Sequence, residues 1–338
     1  MAQYFAEAGH NVEFISITPF GKSLLSKQKI GRLVVNDMYV LPFSLKCSLI
    51  EKINQLYVKW RLFRGNYDVV VLTNPLQYRF IPEKHLAKCT LIYECMDNIP
   101  FFYTGLLRER LLNEENKLLS LVDGVVVSSD YLKRKIARQL RDQLKPILTI
   151  YNAADFAAFI QNTQPVKLKR PNLVYIGTIG NWIDWDTLKK FAINHPEYTI
   201  YMVGPIEHRC KPPPNVVFTG AISHDQVPSY IASGDKMLLP FIRNELTEAV
   251  DPVKLYEYIG MSKQVICAYW PELERFCDHV LFYRNYDEFQ RYALYKNNAE
   301  HSKVNYNFLN KHNWGVRAKE YLLYMTRLAN QKNEIKEG

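Results

Sequence analysis

Residues 236–269, KMLLPFIRNELTEAVDPVKLYEYIGMSKQVICAY, constrain the fold of this chain more than any other stretch. They open and close on apolar runs of strand length, 236–241 and 264–269, with a helical pattern between them that begins at Asp251-Pro252. That order predicts a βαβ unit, because two parallel strands need a crossover and a helix supplies it. Asp251 has the chemistry of an N-cap acceptor. Pro252 suits the first helical position, where its missing N–H has no helical partner to lose. Lys254 and Glu257 lie three residues apart, on one side of that helix and roughly 4.5 Å apart along its axis at about 1.5 Å per residue. A helix start favours an anion, and Lys254 in the first turn adds a full positive charge. Glu257, one turn deeper, has two oxygens that can accept from vicinal hydroxyls. The same spacing also describes a surface ion pair worth a few tenths of a kcal/mol. Position separates the two readings, since ligands of open α/β sheets collect outside the carboxyl ends of strands.

Strand and helix patterns alternate along the rest of the chain. AQYFAEAGHNVEFISI reads as a helix ending at Gly9 and then a strand, and further strands are expected at 68–72, 90–94, 124–128 and 147–151. Residues 152–169 are polar, contain Pro165 and suit a linker. A second series follows at 173–177, 199–203, 216–219, 236–241, 265–269 and 280–283. Such alternation predicts mainly parallel sheets.

The 338 residues, 48% hydrophobic, are enough for two domains with full cores. Six cysteines show neither a C-x-x-C pair nor clustered Cys/His spacing, so they read as reduced, packed thiols, and no metal ligand set is expected. No apolar run approaches the roughly 18 residues a membrane span needs, and no signal-peptide pattern opens the chain. The net charge of +9 is uneven: residues 1–165 carry 21 Lys and Arg against 15 Asp and Glu. Within them, residues 22–32, 49–64 and 131–145 are basic amphipathic stretches, which either lie against anionic headgroups or form solvated helix faces. With no zinc-finger spacing or RNP motif, a nucleic-acid partner is not expected.

The segment NELTEAVDPVKLYEYIGMSKQVI resembles the donor-binding region of nucleotide-sugar glycosyltransferases of the GT-B fold, the group 1 or GT4-like family, and in particular bacterial members that build capsule, O-antigen or teichuronic-type polysaccharides. The resemblance implies an α/β protein of two Rossmann-like doubly wound domains facing a central cleft. The expected division is an acceptor-side domain over residues 1–155, a linker at 156–170, a nucleotide-sugar domain at 171–304, and closing helices at 305–338 that cross back to the first domain. It also implies that Glu257 holds the donor ribose. A second acidic residue usual eight positions earlier is here Ala249, with Glu245, Glu248 and Asp251 around it, so the retaining stereochemistry typical of the group is left open. The chain starts inside the helix that normally follows the first strand, and we expect that central strand to be lacking from the N-terminal sheet, through a start placed downstream of the true one or, alternatively, through loss of the element.

The expected donor site comprises Gly177 and Thr178 in the turn of YIGTIGNWID, Gly220 near the nucleobase, and Arg243, Glu245, Asp251, Val253, Lys254 and Glu257. On the acceptor side, LIYECMDN resembles the family's Tyr-Asp-x-x-Asp segment with Glu94 in place of its first aspartate; Asp97 is the candidate general base, or alternatively a cap of the following segment. Asn74 lies in a second acceptor-side loop, and YNAAD, ending at Asp155, resembles the interdomain hinge with Ala153 in place of glycine. The resulting reading is transfer of a sugar from a nucleotide-diphosphate donor to a hydroxyl of a glycan or polyprenyl-linked glycan, without a cofactor or a required metal, in the cytoplasm at the inner face of an anionic membrane. Mg²⁺ held by Glu245, Glu248 and Asp251 is a lower-ranked arrangement. A nucleotide-sugar 2-epimerase and an inactive nucleotide-sugar-binding subunit are the rival readings.

Overall fold

The structure, a computed structural model, describes residues 1–19, 28–45, 47–141, 144–154, 164–207, 211–295 and 305–337. The chain forms two compact units, one of Met1–Tyr151 with Trp314–Gly338 and one of Asn152–Asn313. The first therefore ends four residues earlier than expected. Only the last helix returns to it; residues 305–313 stay with the second unit. Asp155 and most of the expected linker lie outside the described residues.

In the first unit, α1 (Ala2–Glu7) leads into β1 (Val12–Pro19), which pairs in parallel with β3 (Leu33–Val40). Between them β2 (Gln28–Ile30) forms an antiparallel hairpin with β3 around Gly31, whose φ of 58° suits glycine. The sequence reading does not anticipate β2 or β3, because Asn36 and Asp37 interrupt the apolar run. The structure gives Asn36 a partner across the sheet, Glu13, at 3.1 Å. It also corrects residues 28–32 from a basic amphipathic stretch to this hairpin. After α2 (Ser48–Leu62) comes a wholly parallel sheet in the order β4 (Val69–Leu72), β5 (Thr90–Cys95), β6 (Gly124–Val127), β7 (Ile147–Thr149). Its crossovers hold α3 (Glu83–Lys88), α4 (Gly105–Leu121) and α5 (Asp130–Leu140). Among the described residues β1 and β4 do not pair, so the unit holds two sheets.

The second unit has one parallel sheet in the order β10-β9-β8-β11-β12-β13, where β8 is Asn172–Ile176, β9 Thr199–Val203, β10 Val216–Gly220, β11 Lys236–Leu239, β12 Val265–Ala268 and β13 Val280–Tyr283. β8, β11 and β12 are buried throughout, as strands covered by helices on both faces must be. The helices are α6 (Trp185–Asn194), α7 (Val227–Ser233), α8 (Val253–Gly260), α9 (Tyr286–Leu294) and α10 (Tyr306–Lys311). From β8 the chain winds outward through β9 and β10, then returns to β11 on the other side, so the switch of direction falls between β8 and β11. Asn172 and Asp235 fix that join: the Asn172 amide donates to the Asp235 carboxylate at 2.9 Å, and the Asp235 amide donates to Asn172 Oδ1 at 2.8 Å.

The last helix, α11 (Trp314–Glu337), belongs to the first unit. Tyr324 Oη donates to the Pro146 carbonyl at 2.6 Å and accepts from the Val125 amide at 3.0 Å, a close approach that Gly124 permits because a Cβ there would overlap the phenol. Lys332 Nζ adds bonds to the Cys89 carbonyl at 2.6 Å and to Asp123 at 2.7 Å.

Candidate functional site

The crevice between β8 and β11 is where an open parallel sheet binds ligands. The loop after β8 and the loop after β11 are zipped together over it. Asp184 N donates to the Pro240 carbonyl at 2.8 Å and Ile242 N to the Trp182 carbonyl at 2.7 Å. α8 is anchored to the same edge by Tyr258, whose buried hydroxyl accepts from the Ile176 amide at 3.0 Å. This fixes the first turn of α8 over the end of β8, and Lys254 reaches Gly177.

Gly177 has a φ of 144°, and a Cβ on it would overlap Lys254 Cε, so the lysine side chain lies where only glycine leaves room. Gly177 N donates to the Val203 carbonyl at 2.7 Å, and Gly204 N donates to the Gly220 carbonyl at 2.9 Å. Gly204, at φ 141°, packs so that a Cβ on it would overlap the Gly177 carbonyl. Gly220, at φ 79°, ends the third strand of the row. The structure thus aligns Gly177, Gly204 and Gly220 on one sheet edge. Sequence reasoning undervalues Gly204; its signal was a glycine directly after a strand, and its necessity comes from packing against a residue 27 positions away.

Lys254 and Glu257 share one face of α8. Burial lowers the Lys254 pKa while Glu257 opposes the shift, and burial raises the Glu257 carboxyl to about 7 while Lys254 opposes it. Among the described residues, neither side chain makes a hydrogen bond, and no ion pair within 4.0 Å joins them. A cation and a carboxylate are therefore held largely dry, one helical turn apart, with unused hydrogen-bonding capacity. Such a pair can receive an anion at one end and a diol at the other.

The remaining expected donor residues are placed less simply. Asp251 is not the N-cap of α8; Pro252 is, and no side chain caps that end. The Asp251 carboxylate, 2% exposed, accepts from the Asn152 amide at 2.7 Å and Tyr256 Oη at 2.9 Å and pairs with Arg275, so it is spent inside the unit rather than offered to a ligand. Burial still raises its pKa to about 6 against the pull of Arg275. Arg243, more than half exposed, pairs with Glu248, and Glu245 is exposed on the same loop. Thr178 contributes its carbonyl to Tyr175 Oη at 2.9 Å, and Val253 is the half-buried first residue of α8. Among the described residues no three His, Cys, Asp or Glu side chains cluster to hold a metal ion, and the Asp251 carboxylate pairs with Arg275. A cavity of about 290 Å³ lined by Arg275, Phe276, Phe308 and His312 shares no residue with Lys254, Glu257 or Gly177.

In the first unit, Asn74, Glu94 and Asp97 lie at the carboxyl ends of β4 and β5. Asn74 Oδ1 accepts from the Leu76 amide at 3.0 Å, a local turn. The Asp97 side chain makes no bond to the helical turn Ile99–Phe102, whose N-cap is Asn98, so capping does not account for it. Burial raises the Asp97 carboxyl and lifts Glu94 to about 7.

Comparison of the whole backbone with solved structures decides the fold. The chain has the GT-B glycosyltransferase fold. It superposes on a sucrose-phosphate synthase from Thermosynechococcus elongatus with a TM-score of 0.67 at 12% identity, covering 99% of this chain and 90% of that one. An α,α-trehalose-phosphate synthase (UDP-forming) from Burkholderia vietnamiensis gives 0.71 at 9% identity, covering 97% and 98%. The Anabaena protein HepE, solved in complex with UDP and glucose, gives 0.55 at 12% identity, covering 83% and 88%. In sequence, the chain is 27% identical over 198 residues to the "Putative teichuronic acid biosynthesis glycosyltransferase TuaH" of Bacillus subtilis, 52% of this chain and 49% of that protein. The chain thus matches over about half the length of this curated relative. No family model matches it. Among the described residues no helix is long and apolar enough to cross a membrane.

Proposed function

We propose that this GT-B chain transfers a sugar from a nucleotide-diphosphate donor to a hydroxyl of a glycan acceptor in bacterial cell-surface polysaccharide synthesis, of the capsule, O-antigen or teichuronic kind. The observation that carries it is the largely buried Lys254–Glu257 pair, without side-chain hydrogen bonds among the described residues, held against Gly177 at the switch point of the second sheet. Lys254 and the free amides starting α8 take the diphosphate, and Glu257 takes the ribose hydroxyls. As the sugar–phosphate bond breaks, negative charge grows on the departing diphosphate, and a preorganised cation is worth most there. Arg243 can add to it by exchanging Glu248 for phosphate. In this proposal no metal is required. Asp97 serves as the base for the acceptor hydroxyl, its raised pKa bringing it nearer neutrality. In this proposal the acceptor is lipid-linked and lies at an anionic membrane surface.

Titration with UDP and GDP tests the donor half. Glu257→Ala should weaken binding more than about tenfold, the loss of two hydrogen bonds to a charged group; unchanged affinity removes the ribose assignment. Incubation with UDP-sugars plus EDTA and a lipid-linked acceptor then separates the readings. Transferred product supports the proposal, free epimer indicates an epimerase, and nucleotide binding without turnover indicates a non-catalytic subunit. Asp97→Asn should abolish transfer and spare UDP binding.

A further inference from the structure

α2 has two apolar faces, and only one of them is covered. Val58 and Leu62 are buried in the first unit beside Asn54, which clamps the helix by accepting from the Leu41 amide and donating to the Leu41 carbonyl, both at 2.9 Å. On the opposite side, at successive spacings of four, three, four and three, stand Leu49, Ile53, Leu56, Trp60 and Phe63. Their exposures are 65%, 46%, 69%, 66% and 57%. With 3.6 residues per turn these five form one straight stripe along the helix. Lys52 and Lys59 line one flank of it and Arg64 the other, with Arg61 exposed further round the helix. The helix has a single acid, Glu51, and it points away from the stripe into ion pairs with Arg79 and with Arg110, the latter at 2.7 Å. Phe43, in the turn just ahead, is 70% exposed.

The contrast with α5 shows that this is not an ordinary basic helix. α5 is just as basic, but its apolar positions Leu132, Ile136 and Leu140 are all buried, Lys135 pairs with the buried Glu115 at 2.6 Å, and Lys133, Arg134 and Arg138 are left as a solvated outer face. In α2 the core-facing stripe is already used, and a second, larger one remains in water. Contiguous exposed apolar surface of this kind marks a site that something covers. Cations on both flanks, with no acid among them, call for a negatively charged plane. Trp60 at the centre and Tyr57 at the edge are rings that sit well where hydrocarbon meets headgroups.

We propose that α2 docks the first unit in the plane of an anionic bilayer, its apolar stripe entering the headgroup–acyl boundary and Lys52, Lys59, Arg61 and Arg64 binding lipid phosphates and carboxylates. This specifies the membrane surface of the proposed function, but it rests on α2 alone and stands or falls independently of sugar transfer.

The test is co-sedimentation of the full chain with vesicles of phosphatidylcholine mixed with phosphatidylserine, against phosphatidylcholine alone, over a range of salt. The wild type should bind the mixed vesicles, release with salt, and bind the neutral ones at least about tenfold more weakly. The combined variant K52Q/K59Q/R61Q/R64Q should lose at least about tenfold on mixed vesicles. The pair L56E/W60E should lose binding even at low salt. All these positions are at the surface, and an unchanged circular-dichroism spectrum and melting temperature report that each variant is folded. Absence of binding by the wild type, or equal binding by both variants, overturns the proposal. So does a wild-type dimer that L56E/W60E turns into a monomer without changing vesicle binding, which would assign the stripe to a second copy of the chain. Vesicle binding without sugar transfer leaves the docking intact and removes the proposed function.

Discussion

Glu257→Gln should make the protein more stable at mildly alkaline pH and a poorer binder of nucleotide. Burial raises the Glu257 carboxyl from the usual 4.5 to about 7 in the folded chain. Below about pH 4.5 the group is protonated in folded and unfolded chain alike, and it contributes no pH dependence. Between about 4.5 and 7 the unfolded chain gives up its proton first. The folded state then binds more protons than the unfolded state, so stability falls as pH rises; above about 7 the full penalty is present. A shift of about 2.5 units corresponds to roughly 3 kcal/mol at 1.36 kcal/mol per unit. Glutamine keeps the shape and removes the charge. It also deprives Lys254 of its nearest countercharge, so the net gain at about pH 8 is nearer 2 kcal/mol.

For a unit of this size that is about 4–8 °C in melting temperature. Calorimetry of wild type and variant at about pH 8 and about pH 4.5 is the assay, with the gain expected only at the higher pH. UDP titrations complete it. Wild-type affinity should rise as pH passes through about 7, because the ionised carboxylate is the better acceptor of two hydroxyl bonds, and the glutamine variant should bind weakly and without that dependence. A variant destabilised at pH 8, or equally stabilised at both pH values, would refute the claim that Glu257 is held largely buried, without a side-chain hydrogen bond, for a ligand.

Gly177→Ala forces a side chain into a φ of 144° and into the space of Lys254 Cε, so it should cost about 1–3 kcal/mol and displace the lysine from the phosphate position. UDP affinity should fall about tenfold, and an unchanged titration would separate Lys254 from the diphosphate. Arg275→Met leaves the Asp251 carboxylate buried without its counterion and should cost about 3–5 kcal/mol, whereas the double change with Asp251→Asn should recover much of that. Equal melting temperatures for the single and double variants would show that the pair contributes little.

The second unit was legible because its strands are buried on both faces and so read as unbroken apolar runs, and because the Lys254–Glu257 spacing is a property of eight consecutive residues. The rest depended on contacts distant in sequence. Asp251 has the local chemistry of a helix cap, but its partners Arg275 and Asn152 lie 24 and 99 residues away, and they draw the carboxylate inward. Gly204 is required by the carbonyl of Gly177. β3 was hidden by Asn36 and Asp37, the former satisfied across the sheet by Glu13. α2 and α5 look alike as basic amphipathic stretches, and only the fold decides which apolar side is left uncovered.

Ala249 shows how the path of a loop limits what a substitution can restore. The donor segment resembles a family in which an acid stands eight positions before Glu257, so on sequence alone Ala249→Glu completes the signature. In this fold Ala249 closes the one-turn helix Thr247–Ala249 and is fully buried, beneath a loop pinned by Thr247 Oγ1 to the Ile242 carbonyl at 2.6 Å and by Trp270 Nε1 to the Val250 carbonyl at 3.4 Å. The acids that reach solvent here are Glu245, which is exposed, and Glu248, held by Arg243. A glutamate at 249 would combine overpacking with a dry carboxylate and should cost about 3 kcal/mol or more, with transfer activity lost or unchanged. A variant that folds with wild-type stability and transfers sugar faster would show that the loop opens position 249 to the donor. The inward path of residues 247–250 would then be the wrong basis for placing the chemistry on Lys254 and Glu257 alone.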